Sequence, residues 1–260
     1  MEDALAALRL QIEWGADEAL EEAPVHRARA PAAAPRLVEE APAPPRAVAP
    51  IPRAAAPAIR AEQIAAGAAS LDALRAALAD FDGCALRDTA ANLVFGEGTG
   101  GARLMLVGDV PGPDEDRSGR PFVGLAGALL DRMLASIGLG RHDMQIAMLV
   151  PWRPPGGRPP SETEIAACLP FLLRHIALAT PRRLVLLGPQ VARALLPSAG
   201  PRRRKRGTWI DLAVPNLAAP IPVLATASPA ALLASPVGRR AAWADLRALR
   251  RALDEDLSKS

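Results

Sequence analysis

The 260-residue chain has room for one mid-sized domain with a well-buried core, or for two small ones. Half of it is hydrophobic, but 27 prolines and abundant alanine assign part of that apolarity to linker, and aromatics are scarce: four Trp, four Phe and no Tyr. A formal charge of +3 and a pI near 9.5 suit a polyanion such as nucleic acid without requiring one, while two cysteines exclude both a disulfide framework and a four-thiolate metal site.

Residues 1–22 begin acidic and amphipathic, with Leu5, Leu8 and Ile12 on one helical face. They read as a short helical segment that docks on a protein partner or on the domain. The segment lacks the basic start and apolar stretch of a signal peptide, and no window reaches the roughly 18 apolar residues of a membrane span, so the expected location is cytoplasmic. Residues 23–61 are Ala, Pro and Arg without hydrophobic periodicity, a composition that cannot offset chain entropy by burial, and read as a disordered linker. A domain over 62–257 follows. Ser70 is placed to N-cap a helix carrying Leu71, Leu74 and Leu78 that ends at Asp82-Gly83.

Beyond that helix, short apolar runs alternate with helix-length segments. Strands are expected at Leu104–Val107, Ile146–Val150, Leu184–Leu187 and Val223–Thr226, with helices at about 125–137, 162–178, 189–196 and 239–253. Such alternation predicts an α/β fold, a three-layer α/β/α sandwich with a central four-stranded parallel sheet. In open sheets of this kind ligands bind beyond the carboxyl ends of the strands. That directs attention to Gly108-Asp109-Val110-Pro111-Gly112, Pro151-Trp152-Arg153-Pro154-Pro155, Gly188-Pro189-Gln190 and Ala227-Ser228-Pro229. Gly96, Gly98 and Gly101 spell G-x-G-x-x-G, but they precede the first of these strands and open no helix, so a hairpin turn is expected there rather than a nucleotide site.

The stretch GDVPGPDEDRSGRPFVGLAGALL, residues 108–130, resembles the uracil-DNA glycosylase superfamily, most closely its family 4. The resemblance continues through Ile137-Gly138-Leu139-x-Arg141, Trp152-Arg153-Pro154-Pro155-Gly156-x-Arg158-x-Pro160, Glu164, Cys168-x-Pro170-Phe171, Leu187-Gly188, Arg206-Gly207-x-Trp209 and Trp243-x-Asp245-Leu246, over about residues 81–250. It implies a DNA glycosylase that hydrolyses the N-glycosidic bond of uracil or another deaminated base in base excision repair, after flipping the nucleotide out of the stack. Asp109 would be the carboxylate near the sugar, against the plainer alternative that it caps its loop through backbone N–H groups. Phe122 would stack on the base, Gly108 and Met148 would border it, and Ser228 would sit in the leaving-group loop. Arg153, Arg158, Pro229 and the basic run with Arg203, Arg204 and Lys205 would meet DNA. Glu115, Asp116 and Arg117 would order the loop.

The sequence leaves the family pattern at several positions. Met148 stands where the resemblance implies an Asn that reads the base edge, and Ser228 where it implies a His that stabilises the departing base; neither replacement is equivalent. Gly157 replaces a turn Asn. Of four implied iron–sulfur cysteines only Cys84 and Cys168 remain, with Phe81 and Trp152 at the other two positions, so no cluster, no other cofactor and two free thiols are expected. Removing one transition-state donor costs about 10²–10³ in rate, which leaves catalysis open. Two readings therefore stand: a monomeric glycosylase, or a weak or inactive glycosylase-fold module that binds single-stranded or damaged DNA.

Overall fold

A computed structural model describes residues 56–98, 101–196 and 207–258. The N-terminal segment 1–22, the linker up to residue 55 and the basic run 202–206 lie outside the described residues. The first helix of the described residues, α1 (Ala56–Gly67), opens inside the stretch read as linker, so residues 56–61 are helical. Alanine has the highest helix propensity, and Pro57 stands in the first turn, where a missing N–H is no loss.

Helix α2 (Leu71–Asp80) is capped as expected: Ser70 Oγ accepts from Ala73 N at 3.1 Å, and Leu74 and Leu78 are buried. The chain then forms β1 (Gly96–Glu97), β2 (Leu104–Gly108), α3 (Pro113–Ser118), α4 (Gly124–Ala135), β3 (Met144–Met148), α5 (Glu162–Ala179), β4 (Arg183–Leu187), α6 (Pro189–Leu195), β5 (Ile210–Leu212), β6 (Ile221–Thr226), α7 (Pro229–Ala234) and α8 (Arg239–Ser258). The α/β class and the four parallel strands follow the sequence reading. The sheet itself has six strands, in the order β1-β3-β2-β4-β6-β5, because β1 and β5 add antiparallel edges to β3 and β6. Gly96 and Gly98, expected in a hairpin turn, belong to or border β1. A Cβ on Gly96 would lie 2.4 Å from the Ile146 carbonyl oxygen, so the edge strand can approach β3 only without a side chain there.

Strand pleat divides the core between two faces. Leu104, Leu106, Ile146, Met148, Val185, Leu187 and Leu224 pack with Leu130 and Leu134 of α4 and Leu246 and Leu249 of α8. Met105, Val107, Ala147, Leu184, Leu186 and Val223 face the opposite way, toward buried residues of α1, α2, α5 and α6. Among the described residues no helix is long and apolar enough to cross a membrane.

Within the second core, His175 of α5 is 3% exposed and stacks on Phe95 at 4.7 Å between ring centroids, and its Nε2 has no hydrogen-bond partner among the described residues. Burial lowers its pKa from 6.5 to about 4. The unfolded chain therefore takes up this proton before the folded chain does. The stabilising contribution is complete above pH 6.5 and is lost as pH falls toward 4, a loss of up to roughly 3 kcal/mol. Thermal melting between pH 7 and 4.5 should show a decline that His175→Leu reduces.

Candidate active site

Strand register gathers the site. Met148 pairs with Gly108, Gly108 with Leu187 and Leu187 with Thr226, so the four parallel strands reach their carboxyl ends in one row. Just beyond that row a cleft of about 580 Å³ is lined by residues that include Asp109, Phe122, Met148, Arg153, Leu187, Ser228 and Pro229. The turns after β2 and β6 therefore face the same hollow. Its volume is in the range of small-ligand sites.

Asp109 leaves β2 and turns toward β4. Its Oδ1 accepts from Val191 N at 2.7 Å, and Gln190 N also donates to the carboxylate, so Asp109 caps the start of α6 as well as lining the cleft. A Cβ at Gly188, whose φ is +140°, would lie 2.2 Å from Asp109 Oδ2, so the carboxylate occupies the space of a missing side chain. Burial pushes the Asp109 carboxyl above the ordinary aspartate range, against the opposing pull of the Val191 and Gln190 N–H groups and of Arg193.

Phe122 occupies a backbone conformation rare for any residue but glycine, with φ +49°. Three features hold it there. Arg141 donates to the carbonyls of Phe122 and of Pro121, the latter at 3.1 Å, and is itself fixed by Glu97 and by Asp131 at 2.7 Å. Gly127 leaves room for the Phe122 carbonyl, which a Cβ there would meet at 1.9 Å. Gly108 leaves room for the ring: a Cβ there would lie 2.6 Å from Phe122 Cζ and 2.9 Å from the Met148 sulfur. Ring tip and thioether thus converge on one backbone position, and Phe122 is 5% exposed, with the uncovered part turned to the cleft.

Other expected residues separate into those at the cleft and those elsewhere. Ser228 lines it, and its Oγ accepts from Ala231 N at 3.2 Å as the N-cap of α7, with Pro229 the first helical residue. The hydroxyl proton remains available. Arg153 and Gly157 line the cleft. Arg158 is not among the lining residues; its guanidinium grips Glu164 through two bonds of 2.9 and 2.6 Å, which with donors from Ser161 hold the Glu164 carboxyl down at about 2 against the opposing effect of burial. Arg203, Arg204 and Lys205 lie outside the described residues. Glu115 Oε2 accepts from Gly112 N at 3.0 Å, and Asp116 Oδ1 accepts from Ala91 N at 2.9 Å, so both brace the loop.

The residues at the implied cluster position do not fit an iron–sulfur group. Cys84 and Cys168 are buried with their sulfurs 4.0 Å apart, but Phe81 and Trp152 are buried in the same apolar cluster, and the Phe81 ring packs on Phe171 at 5.1 Å between centroids. Two thiols and two aromatic rings cannot provide four thiolate ligands.

Arg141 is the site component that motif reading missed as such. It was visible only as one letter of Ile137-Gly138-Leu139-x-Arg141, since its partners lie 10, 19, 20 and 44 residues away. Arg141→Met removes one of the two guanidinium partners of Glu97, leaving Arg120, and takes this donor from the Pro121 and Phe122 carbonyls; the expected loss is about 2–3 kcal/mol of unfolding free energy in denaturant titration, with faster proteolysis near residue 122.

A model of the uracil DNA glycosylase superfamily matches residues 95–247. The type-4 uracil-DNA glycosylase of Pyrobaculum aerophilum is 42% identical over 137 residues, covering 53% of this chain and 70% of that protein. Its counterpart from Saccharolobus solfataricus is 39% identical over 178 residues, 65% of this chain and 80% of that protein, and the one from Sulfurisphaera tokodaii is 43% identical over 120 residues, 46% and 54% respectively. With a family match across more than half its length and relatives covered over most of theirs, this chain belongs to the uracil DNA glycosylase superfamily and is family 4-like.

Proposed function

We propose that the protein is a DNA glycosylase of base excision repair that hydrolyses the N-glycosidic bond of uracil or another deaminated base in a flipped nucleotide. The observation that carries this reading is the convergence of Asp109, Phe122 and Ser228 on one cleft at the carboxyl ends of the parallel strands. The names of the type-4 relatives support it.

In this reading the base leaves the stack and lies against Phe122, bordered by Gly108 and Met148. Asp109 holds its carboxylate toward the sugar. There it orients water and stabilises the positive charge that develops at C1′ as the base departs. Ser228 turns its hydroxyl proton toward the leaving base, a weaker donor than a cation. Arg153, Arg158, Pro229 and the run with Arg203, Arg204 and Lys205 meet DNA. No cofactor takes part, and the protein works as a cytoplasmic monomer whose residues 1–22 engage a protein partner.

Two observations favour a second reading. Met148 has no group that can hydrogen-bond a base edge, and Ser228 Oγ already serves as a helix cap. A weak or inactive module that grips damaged or single-stranded DNA would have such a cleft.

Single- and double-stranded oligonucleotides containing uracil or hypoxanthine, treated with protein and then alkali, distinguish the readings. The enzyme produces strand breaks that Asp109→Asn reduces by about 10²-fold or more; binding without breaks identifies the module. Because the carboxylate must be ionised to act and burial raises its pKa, the acid limb of kcat/KM should fall above the ordinary aspartate range. An acid limb at or below that range would separate Asp109 from the chemistry.

A further inference from the structure

The chain has two cysteines in 260 residues, 84 positions apart, and the fold brings their sulfurs to 4.0 Å. Neither lines the cleft. Phe81, Trp152 and Phe171 share their core cluster, and among the described residues no group of three or more His, Cys, Asp or Glu is placed to hold a metal ion. What remains is a buried dithiol whose two members have only each other as sulfur partners.

The contact has a direction. Cys168 donates its S–H to the Cys84 sulfur, and that bond lowers the Cys84 thiol below the ordinary cysteine range, against burial and with help from the Leu86 backbone. The same bond, together with burial, raises the Cys168 thiol well above that range. Cys84 is therefore the sulfur that gives up its proton first and Cys168 the one that keeps it.

We infer that Cys84 and Cys168 close to a disulfide within one chain when hydrogen peroxide reaches them, and that this bond ties the turn Ala85–Asp88, which Cys84 caps, to helix α5. The Cys84 thiolate attacks one peroxide oxygen, the O–O bond breaks, and Cys84 becomes a sulfenic acid as hydroxide leaves and takes up a proton. The Cys168 sulfur then attacks the Cys84 sulfur, and the sulfenic oxygen departs with the Cys168 proton as water. Two thiols are oxidised and one peroxide is reduced, giving one disulfide and two waters. A disulfide holds its sulfurs about 2.05 Å apart, so each must move inward by about 1 Å, a small side-chain rotation. Closing the pair removes freedom from the unfolded chain across the intervening residues. The chain that leaves the turn goes on to brace the cleft loop, where Ala91 N and Asn92 Nδ2 donate to Asp116, so the disulfide anchors that brace at its root.

The test uses the full chain, reduced, freed of reductant and exposed to hydrogen peroxide, and is read by intact mass and by peptide mapping without reductant. Expected are a loss of two hydrogen atoms, one cross-linked peptide joining Cys84 to Cys168 within a monomer, and a Tm about 5–10 °C above that of the reduced protein. In Cys168→Ala the Cys84 sulfur should gain oxygen instead, and faster than Cys168 does in Cys84→Ala; the reverse order overturns the assignment of Cys84 as the attacking sulfur. Oxygen accumulating on either thiol of the unsubstituted protein, a bond between two chains, or two thiols that survive the peroxide overturns the inference, as does a cross-linked form with an unchanged or lower Tm. The glycosylase reading is tested separately by the oligonucleotide assay and stands or falls without this bond.

Discussion

The site depends on register. In a parallel sheet each strand could end at a different height, and the loops that follow would then open at different levels. Here Met148, Gly108, Leu187 and Thr226 stand in one row, so four chain segments leave the sheet together and their next residues share one hollow. A slip of one residue in any strand would exchange the faces of the two cores, moving Met148 and Leu187 away from α4 and α8. The apolar packing that stabilises the sheet is therefore also what brings Asp109 and Ser228 to the same cleft.

Within that frame the site is made by omission as much as by presence. Glycine at 188 gives the Asp109 carboxylate its place, and glycine at 108 gives the Phe122 ring its place. Phe122 is then held in a left-handed turn that its own side chain disfavours, at an energetic cost of order 1–3 kcal/mol offset by Arg141 and the room at Gly127. Strain of this kind persists only where neighbours over-determine it. A rigid ring beside a row of aligned strand ends is suited to receiving a flat ligand whose position must be fixed before any bond is broken.

Much of this was legible in the sequence, for physical reasons that also explain what was not. The parallel strands are continuous apolar runs because both of their faces are covered, and those runs stand out between helix-length segments. The edge strands have two and three residues and one covered side or none, so β1 looked like a glycine turn and β5 gave no strand signal. Pro57, Pro113 and Pro229 each stand in the first turn of a helix, where proline is favoured, and Ser228 before Pro229 is a cap signal that could have announced α7. Asp109, Phe122 and Ser228 were singled out through motif order, and the three line one cleft. Arg141 was not assigned its role, because a clamp built from residues 97, 121, 122 and 131 leaves no local spacing to read. Arg158, named in the sequence as a DNA contact, also pairs with Glu164 at the start of α5, six residues on, a pairing that the motif order did not announce.

Whether the hollow receives a flipped nucleotide is settled most directly by a crystal structure of the protein with an oligonucleotide carrying a 2′-fluoro-substituted nucleoside that resists hydrolysis. The base should lie outside the duplex with its ring stacked on Phe122 and C1′ facing the Asp109 carboxylate. A base that stays in the helix, or one that is flipped into a different part of the surface, would contradict the convergence on which this account of the site rests.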